Sequence, residues 1–210
     1  RRERDRPLCP RGPDAEQRLK AIRTGYYASI AFIDRQIGKV LQSVEEKGLA
    51  EKTLVLFVSD HGDMLGDKQL LTKGAYFYDP SVKVPFLMKY PGRIIPNTVC
   101  SNLVQPHDIA ATLLSVAGMP ADEIGRILPH SMDLLRLLEQ GHDYAAYRDY
   151  AVSIYRNTGY GPGGVYFDPP VHCSMFRDGR YKLTVYHDVD MPKKKAEGEL
   201  YDMQEDPSET

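Results

Sequence analysis

Thr53-Leu54-Val55-Leu56-Phe57-Val58-Ser59 runs directly into Asp60-His61-Gly62-Asp63, and Lys73-Gly74 follows thirteen residues after Asp60. The run from Thr53 to Ser59 is apolar and rich enough in β-formers to predict a buried strand. Open α/β sheets bind their ligands at the carboxyl ends of such strands, so Asp60 and His61 stand where a site is expected. Adjacent residues on a regular strand point to opposite faces. Both can reach one ion only where the strand has given way to a loop, and Gly62 supplies that break. A carboxylate beside an imidazole suits Mn²⁺, Zn²⁺ or Ca²⁺, the imidazole tilting the choice away from an ion bound by oxygen alone. The ammonium of Lys73, next to a glycine that lets backbone approach a ligand, would neutralise an anionic ester as charge builds in a transition state.

Upstream of the strand, Asp14 and Gln17 offer a capping box. Leu19, Ile22, Tyr26, Ile30, Ile33, Ile37, Leu41 and Val44 then recur at spacings of three and four, which predicts one long amphipathic helix closed by Lys47-Gly48. A helix feeding a strand is half of a βαβ unit. The fold class expected is therefore α/β, part of a mostly parallel sheet flanked by helices.

Downstream, Val84 to Tyr90 reads as a second strand, with Pro85 at its beginning or at an edge. Pro106 to Ala117 predicts a helix stopped by Gly118 and Pro120, and Ser131 to Gln140 a short helix with Leu134, Leu135 and Leu138 on one side. From about Ala145 the pattern changes. Ala151 to Tyr155, Val171 to Arg177 and Arg180 to His187 are strand-like, the last two flanking the hairpin signal Asp178-Gly179. Tyr160 to Pro170 between them is a Gly/Pro-rich excursion. The organisation expected is residues 1–144 in the α/β core and residues 145–210 in a small C-terminal antiparallel subdomain.

At 210 residues, 42% hydrophobic and 27% charged, the chain can bury a proper core. A formal charge of −2 argues against a nucleic-acid binder, and Lys193-Lys194-Lys195 reads as a solvated loop. No run approaches the roughly 18–20 apolar residues of a membrane span. Cys9, Cys100 and Cys173 outline neither a disulfide framework nor a zinc cluster, and as thiols they lean slightly towards a cytoplasmic over a periplasmic setting. The chain opens on Arg1 rather than Met, so upstream sequence is expected.

Ser59-Asp60-His61-Gly62-Asp63-Met64-Leu65-Gly66-Asp67, Lys73-Gly74, Tyr78-Asp79, Val82-Lys83-Val84-Pro85 and Tyr90-Pro91-Gly92-Arg93 together resemble the C-terminal half of the sulfatase family, within the alkaline phosphatase superfamily. The likeness continues through Tyr26-Tyr27-Ala28, Ile33 to Gly38, Gln105 to Ile109, Arg180 to Leu183 and Glu199 to Asp202 with Asp206-Pro207. By that resemblance Asp60 and His61 are metal ligands and Lys73 contacts the sulfate or phosphate oxygens. His61 in place of the Asn of other members is similar to the choline sulfatase and phosphonate monoester hydrolase branch. The family often carries His where Lys68 stands, a departure that bears on substrate class more than on metal binding.

The resemblance implies hydrolysis of a small-molecule sulfate or phosphate ester by a metal-bound formylglycine, made from Cys or Ser in C-x-P-x-R. Cys9-Pro10-Arg11 does not have that spacing, and the family's early Asp-Asp pair is not in the chain, so no nucleophile is assigned here and formylglycine is expected upstream. The alternatives are a phosphonate or phosphate ester hydrolase of the same superfamily and a non-catalytic sulfatase-like binding module; a homo-oligomer is left open.

Asp63 or Asp67 would orient His61, His107 and Asp108 would cap the helix they open, and Tyr76, Phe77 and Tyr78 would pack. His172, with Arg156 and Tyr160 around the excursion, would touch the leaving group of the substrate.

Overall fold

A computed structural model describes residues 9–139, 148–157, 171–187 and 197–210. The chain opens with α1 (Ala15–Glu46), a helix of 32 residues, which leads through a short 3-10 turn at Ala50–Lys52 into β1 (Val55–Val58). The helix stops at the expected Lys47-Gly48 pair, but the capping box does not form: Asp14 is the N-cap and makes no side-chain cap bond. The apolar stripe of α1 is present but largely uncovered. No residue of the helix is buried, and Ile30, Ile33 and Val40 are exposed. Its C-terminal half faces the sheet across a cleft of about 350 Å³ where Ile37, Leu41 and Val44 meet Val55 and Phe57.

After β1 the chain passes through a 3-10 turn (Asp67–Gln69) and α2 (Asp79–Val82) before β2 (Phe86–Lys89). The two strands pair antiparallel, Val55 opposite Lys89 and Val58 opposite Phe86. This corrects the mostly parallel sheet expected from the sequence; every strand pair among the described residues is antiparallel. The reason lies in the connection. A parallel partner needs a crossover that carries the chain back to the start of β1, a task ordinarily done by a helix. Between Ser59 and Pro85 the only helical pieces are the 3-10 turn and the four-residue α2, so the chain remains near the end of β1 and re-enters the sheet from there. Pro85 immediately precedes β2, where its missing N–H costs no ladder bond.

Three helices follow: α3 (Asp108–Val116), α4 (Ala121–Ile127) and α5 (Leu134–Glu139). Leu134 and Leu137 of α5 pack against Phe86 and Met88 of β2 with Val104 and Met132, which covers one face of the small sheet. The C-terminal strands β3 (Ala151–Asn157), β4 (Val171–Arg177), β5 (Tyr181–His187) and β6 (Glu197–Asp202) form a four-stranded antiparallel sheet in sequential order. Its central hairpin turns at Asp178-Gly179 as expected, the Asp178 carboxylate accepting the main-chain N–H groups of Arg180 at 2.8 Å and Tyr181 at 2.6 Å.

The extended segment 75–78 joins the two halves of the core. Its side chains alternate, as extended backbone requires. Ala75 and Phe77 pack on Cys173 and Met175 of β4, while Tyr76 and Tyr78 pack on Met64 and Leu70. Met64 and Leu70 are each 1% exposed, and burying such side chains stabilises by about 1.5–3 kcal/mol apiece. They bracket the loop that follows the Asp60-His61 turn, so the turn is anchored on its downstream side by core packing. The three cysteines are free thiols, with Cys173 fully buried.

Candidate functional site

Regular strand geometry ends at Val58, and Ser59 to Asp63 take a turn whose polar groups satisfy one another. The Ser59 hydroxyl donates to the His61 carbonyl at 2.7 Å, and the His61 N–H donates to Asp60 Oδ1 at 3.0 Å. Asp60 Oδ2 then lies 3.5 Å from His61 Nε2. The two side chains thus reach the same side despite being neighbours, which the break after the strand allows. The other ring nitrogen, Nδ1, is 3.0 Å from the Gly62 carbonyl oxygen. A carbonyl can only accept, so Nδ1 donates to it, and Nε2 is the ring nitrogen that faces Asp60.

Gly62 is fixed by its close approach to α2. Its N–H donates to the Ser81 carbonyl at 2.8 Å, and a Cβ at this position would lie 2.0 Å from the Pro80 carbonyl oxygen. No side chain fits there. Gly74 has a similar constraint, since a Cβ would stand 2.5 Å from the Tyr76 ring. Between these glycines the Asp63 carboxylate accepts the main-chain N–H of Lys73 at 2.8 Å, which ties the lysine segment to the turn carrying Asp60 and His61. Asp63 therefore holds the main chain at Lys73, and the Gly62 carbonyl does for His61 what the sequence led us to expect of Asp63 or Asp67. The Asp60 side chain is 85% exposed and that of His61 33%, so both donors are open to a ligand.

Lys68, where the resembled family often carries His, is engaged within the fold. It takes a left-handed backbone conformation (φ 53°), and its ammonium donates to the Glu209 carbonyl while lying 5.7 Å from the Tyr78 ring centre. It holds the C-terminal segment. Leu65 and Gln69 also have positive φ, and the loop is pinned by Arg23 Nε donating to the Leu65 carbonyl at 2.6 Å.

Asp108 is fully buried and makes no N-terminal cap in the ordinary sense: Arg148 grips it with two bonds of 2.7 Å, and it accepts the N–H groups of Gln105 at 2.8 Å and Met132 at 2.9 Å. His107 lies at its edge, its Nε2 2.9 Å from the His130 carbonyl oxygen. Tyr76, Phe77 and Tyr78 pack, as expected. His172 sits on β4 opposite Arg156 of β3 and His187 of β5, its ring 5.9 Å from that of His187. The excursion expected to accompany it, with Tyr160, lies outside the described residues.

Sequence reasoning missed a buried ionic cluster beside the site. Lys182 of β5, 1% exposed, places its ammonium 2.7 Å from Asp79 Oδ1 and 2.7 Å from Glu209 Oε1, while the second Glu209 oxygen accepts the Asp79 N–H at 2.8 Å. Next to it, Tyr78 and Tyr186 each donate a phenolic O–H to the Glu199 carboxylate at 3.3 Å. Burial, reinforced by that carboxylate, holds the Tyr78 phenol far above its ordinary range, and it raises Tyr201 likewise. These phenols remain donors at any physiological pH.

The donor set fits a divalent cation. Asp60 Oδ2 and His61 Nε2, 3.5 Å apart, would hold such an ion between a carboxylate and an imidazole whose ring is oriented by the Gly62 carbonyl. Among the described residues no group of three or more His, Cys, Asp or Glu side chains gathers at one point, so Asp60 and His61 are two donors of an incomplete shell.

Comparison with known proteins bears on this arrangement. The Sulfatase family model matches residues 5–119, and that described as N-sulphoglucosamine sulphohydrolase, C-terminal, matches residues 66–210. The chain belongs to the sulfatase family. An arylsulfatase from Clostridium perfringens is 39% identical over 112 residues, covering 52% of this chain and 23% of that protein. Arylsulfatase K from Rattus norvegicus is 29% identical over 198 residues, covering 94% of this chain and 33% of that protein. A solved 2-O GAG sulfatase superposes with a TM-score of 0.65 at 28% identity, over 84% of this chain and 35% of that one. The chain thus spans a quarter to a third of the length of the relatives it matches.

Proposed function

We propose that this chain is the C-terminal portion of a sulfatase that hydrolyses sulfate esters with a divalent cation held in part by Asp60 and His61. The observation that carries the proposal is the 3.5 Å approach of Asp60 Oδ2 to His61 Nε2, the ring nitrogen opposite the one that faces the Gly62 carbonyl. It lies inside the stretch matched by the Sulfatase family model. When bound, the cation supplies positive charge that holds the anionic ester and activates the nucleophile.

This chain's own residues do the remaining work. Asp60 contributes a full negative charge, and His61 is held in one tautomer by Gly62. Lys73, its backbone pinned to Asp63, brings an ammonium to the ester oxygens and stabilises charge as the bond to the leaving oxygen breaks. The nucleophile, a formylglycine, belongs to upstream sequence. Cys9 is not a candidate: its N–H donates to the Gln69 carbonyl at 3.0 Å and its thiol to that of Leu70 at 3.7 Å, which makes it a strut of the 64–70 loop. The exposed Ile30, Phe32, Ile33 and Val40 of α1 and Leu87 of β2 support a larger protein packing here.

The test is turnover of an aryl sulfate by the full-length protein, with aryl phosphate mono- and diesters in parallel, before and after chelation. Sulfate turnover that is lost on chelation and in Asp60→Ala is expected. Retained turnover and normal metal content in Asp60→Ala would overturn the assignment of Asp60, and preferential phosphate or phosphonate hydrolysis would overturn the substrate class. An intact, metal-loaded protein with no turnover on any of them would make the chain a binding module.

A further inference from the structure

We infer that the buried Lys182–Asp79–Glu209 cluster is a positioning device for the metal-binding turn, so that Lys182, remote in sequence and on another sheet, sets the cation affinity of Asp60 and His61. This rests on the reading of Asp60 and His61 as metal ligands.

The chain of contacts is short. Lys182 and Glu209 clamp Asp79, the first residue of α2, through its carboxylate at 2.7 Å and its N–H at 2.8 Å. Two residues on, the Ser81 carbonyl accepts the Gly62 N–H at 2.8 Å, and the Pro80 carbonyl fills the space where a Gly62 side chain would be. Gly62 in turn holds the imidazole of His61 through its own carbonyl. Each link is a direct hydrogen bond or a van der Waals limit. A movement of α2 must therefore move the acceptor that defines the His61 tautomer and ring orientation.

The cluster has few ways to relax. Lys182 is 1% exposed and Glu209 3%, and the exposed Lys83 stands 3.9 Å from the second Asp79 oxygen. Removing the buried ammonium leaves two carboxylates facing each other, that of Glu209 buried and that of Asp79 only partly exposed. Their repulsion separates α2 from the C-terminal segment. The same Glu209 receives Lys68 from the 64–70 loop on its carbonyl, so both flanks of the metal-binding turn refer to this one point.

The experiment measures Mn²⁺ affinity of the full-length protein by titration calorimetry, with thermal unfolding followed in parallel. Lys182→Met is expected to weaken Mn²⁺ by about 10-fold or more, the usual effect of losing an outer support of a ligand. Glu209→Gln, which keeps the size and the bond to the Asp79 N–H, is expected to weaken it in the same direction and carries the test should Lys182→Met fail to fold. Thr112→Val is the control, because it removes a buried hydroxyl that accepts the Leu134 N–H at 2.9 Å and touches none of these groups. It should lower the melting temperature and leave Mn²⁺ affinity unchanged. Folded Lys182→Met or Glu209→Gln with wild-type affinity overturns the inference, as does an equal loss in Thr112→Val. If the wild type binds Mn²⁺ no better than Asp60→Ala does, the failure lies in the metal assignment and not in the positioning.

Discussion

The main-chain N–H of Lys73 donates to the carboxylate of Asp63 across 2.8 Å, and this bond connects the two halves of the candidate site. Asp63 thereby acts on the lysine segment and not on Asp60 or His61. Asp63→Ala in the full-length protein should leave Mn²⁺ affinity near wild type and lower kcat/KM for an aryl sulfate by about 100-fold, the scale on which a misplacement of about 1 Å operates. Asp63→Asn keeps an acceptor oxygen and should retain most of the activity. Equal kcat/KM for the two variants would show that the bond does not position Lys73.

Gly62→Ala tests the contact with α2. The added methyl would lie 2.0 Å from the Pro80 carbonyl oxygen, a main-chain atom with no side-chain freedom to yield. The expected loss is about 1–3 kcal/mol of stability, the range for forcing extra volume into a packed site, together with weaker Mn²⁺ binding. Gly25→Ala in α1 is the contrast, because nothing lies within 4 Å of the position its methyl would take. It should be neutral or stabilise by about 0.5–1 kcal/mol. Denaturant unfolding of both variants decides the matter.

What could be read from the sequence was what is local. The strand leading to Asp60, the helix over Asp108–Val116 and the Asp178-Gly179 hairpin each announce themselves within a few residues. The direction of β2 could not be read that way, because it depends on how the chain between Ser59 and Pro85 is folded. β6, with sequence EGELYD, shows no apolar alternation and is a strand because β5 pairs with it. α4 gives no clear periodic signal, being short and interrupted by Gly125. In β5 the ordinary pattern is inverted: Lys182 and Thr184 are buried while Tyr181 and Leu183 are exposed. The arrival of Asp79, 103 residues away, together with Glu209 makes a buried lysine tolerable there. The site was legible in the same partial way. Asp60, His61 and Lys73 are close in sequence, as are Gly62 and Asp63 that engage them, whereas the groups behind Gly62, from Asp79 to Ser81 and on β5, come from elsewhere in the chain.

The Asp108–Arg148 pair predicts a large stability effect away from the candidate site. Asp108 is fully buried and the Arg148 side chain only 9% exposed, joined by two bonds of 2.7 Å. Arg148→Met strands the carboxylate with only the Gln105 and Met132 N–H groups, and such a broken buried pair costs about 3–5 kcal/mol. Asp108→Asn in the Arg148→Met background removes the stranded charge and should recover part of that loss. A double variant no more stable than Arg148→Met in denaturant unfolding would contradict the account.

Acid should weaken the end of the β4–β5 hairpin. The Asp178 carboxyl is held below the usual carboxylate range by the main-chain N–H groups of Tyr181 and Arg180, and that of Asp202 chiefly by the Arg180 guanidinium. A carboxyl whose folded pKa is depressed stabilises the fold fully above its unfolded value, about 3.9 for Asp. The contribution then declines as pH falls towards the folded pKa and is gone below it. The melting-temperature gap between wild type and Asp178→Ala should therefore be constant from neutral pH down to about 5 and shrink on further acidification. Asp202→Ala should behave alike, and because Arg180 serves both ends of the turn, its gap should also narrow in high salt, which screens an exposed ion pair. A gap that widens on acidification would mean that these carboxyls are not stabilised in their charged form.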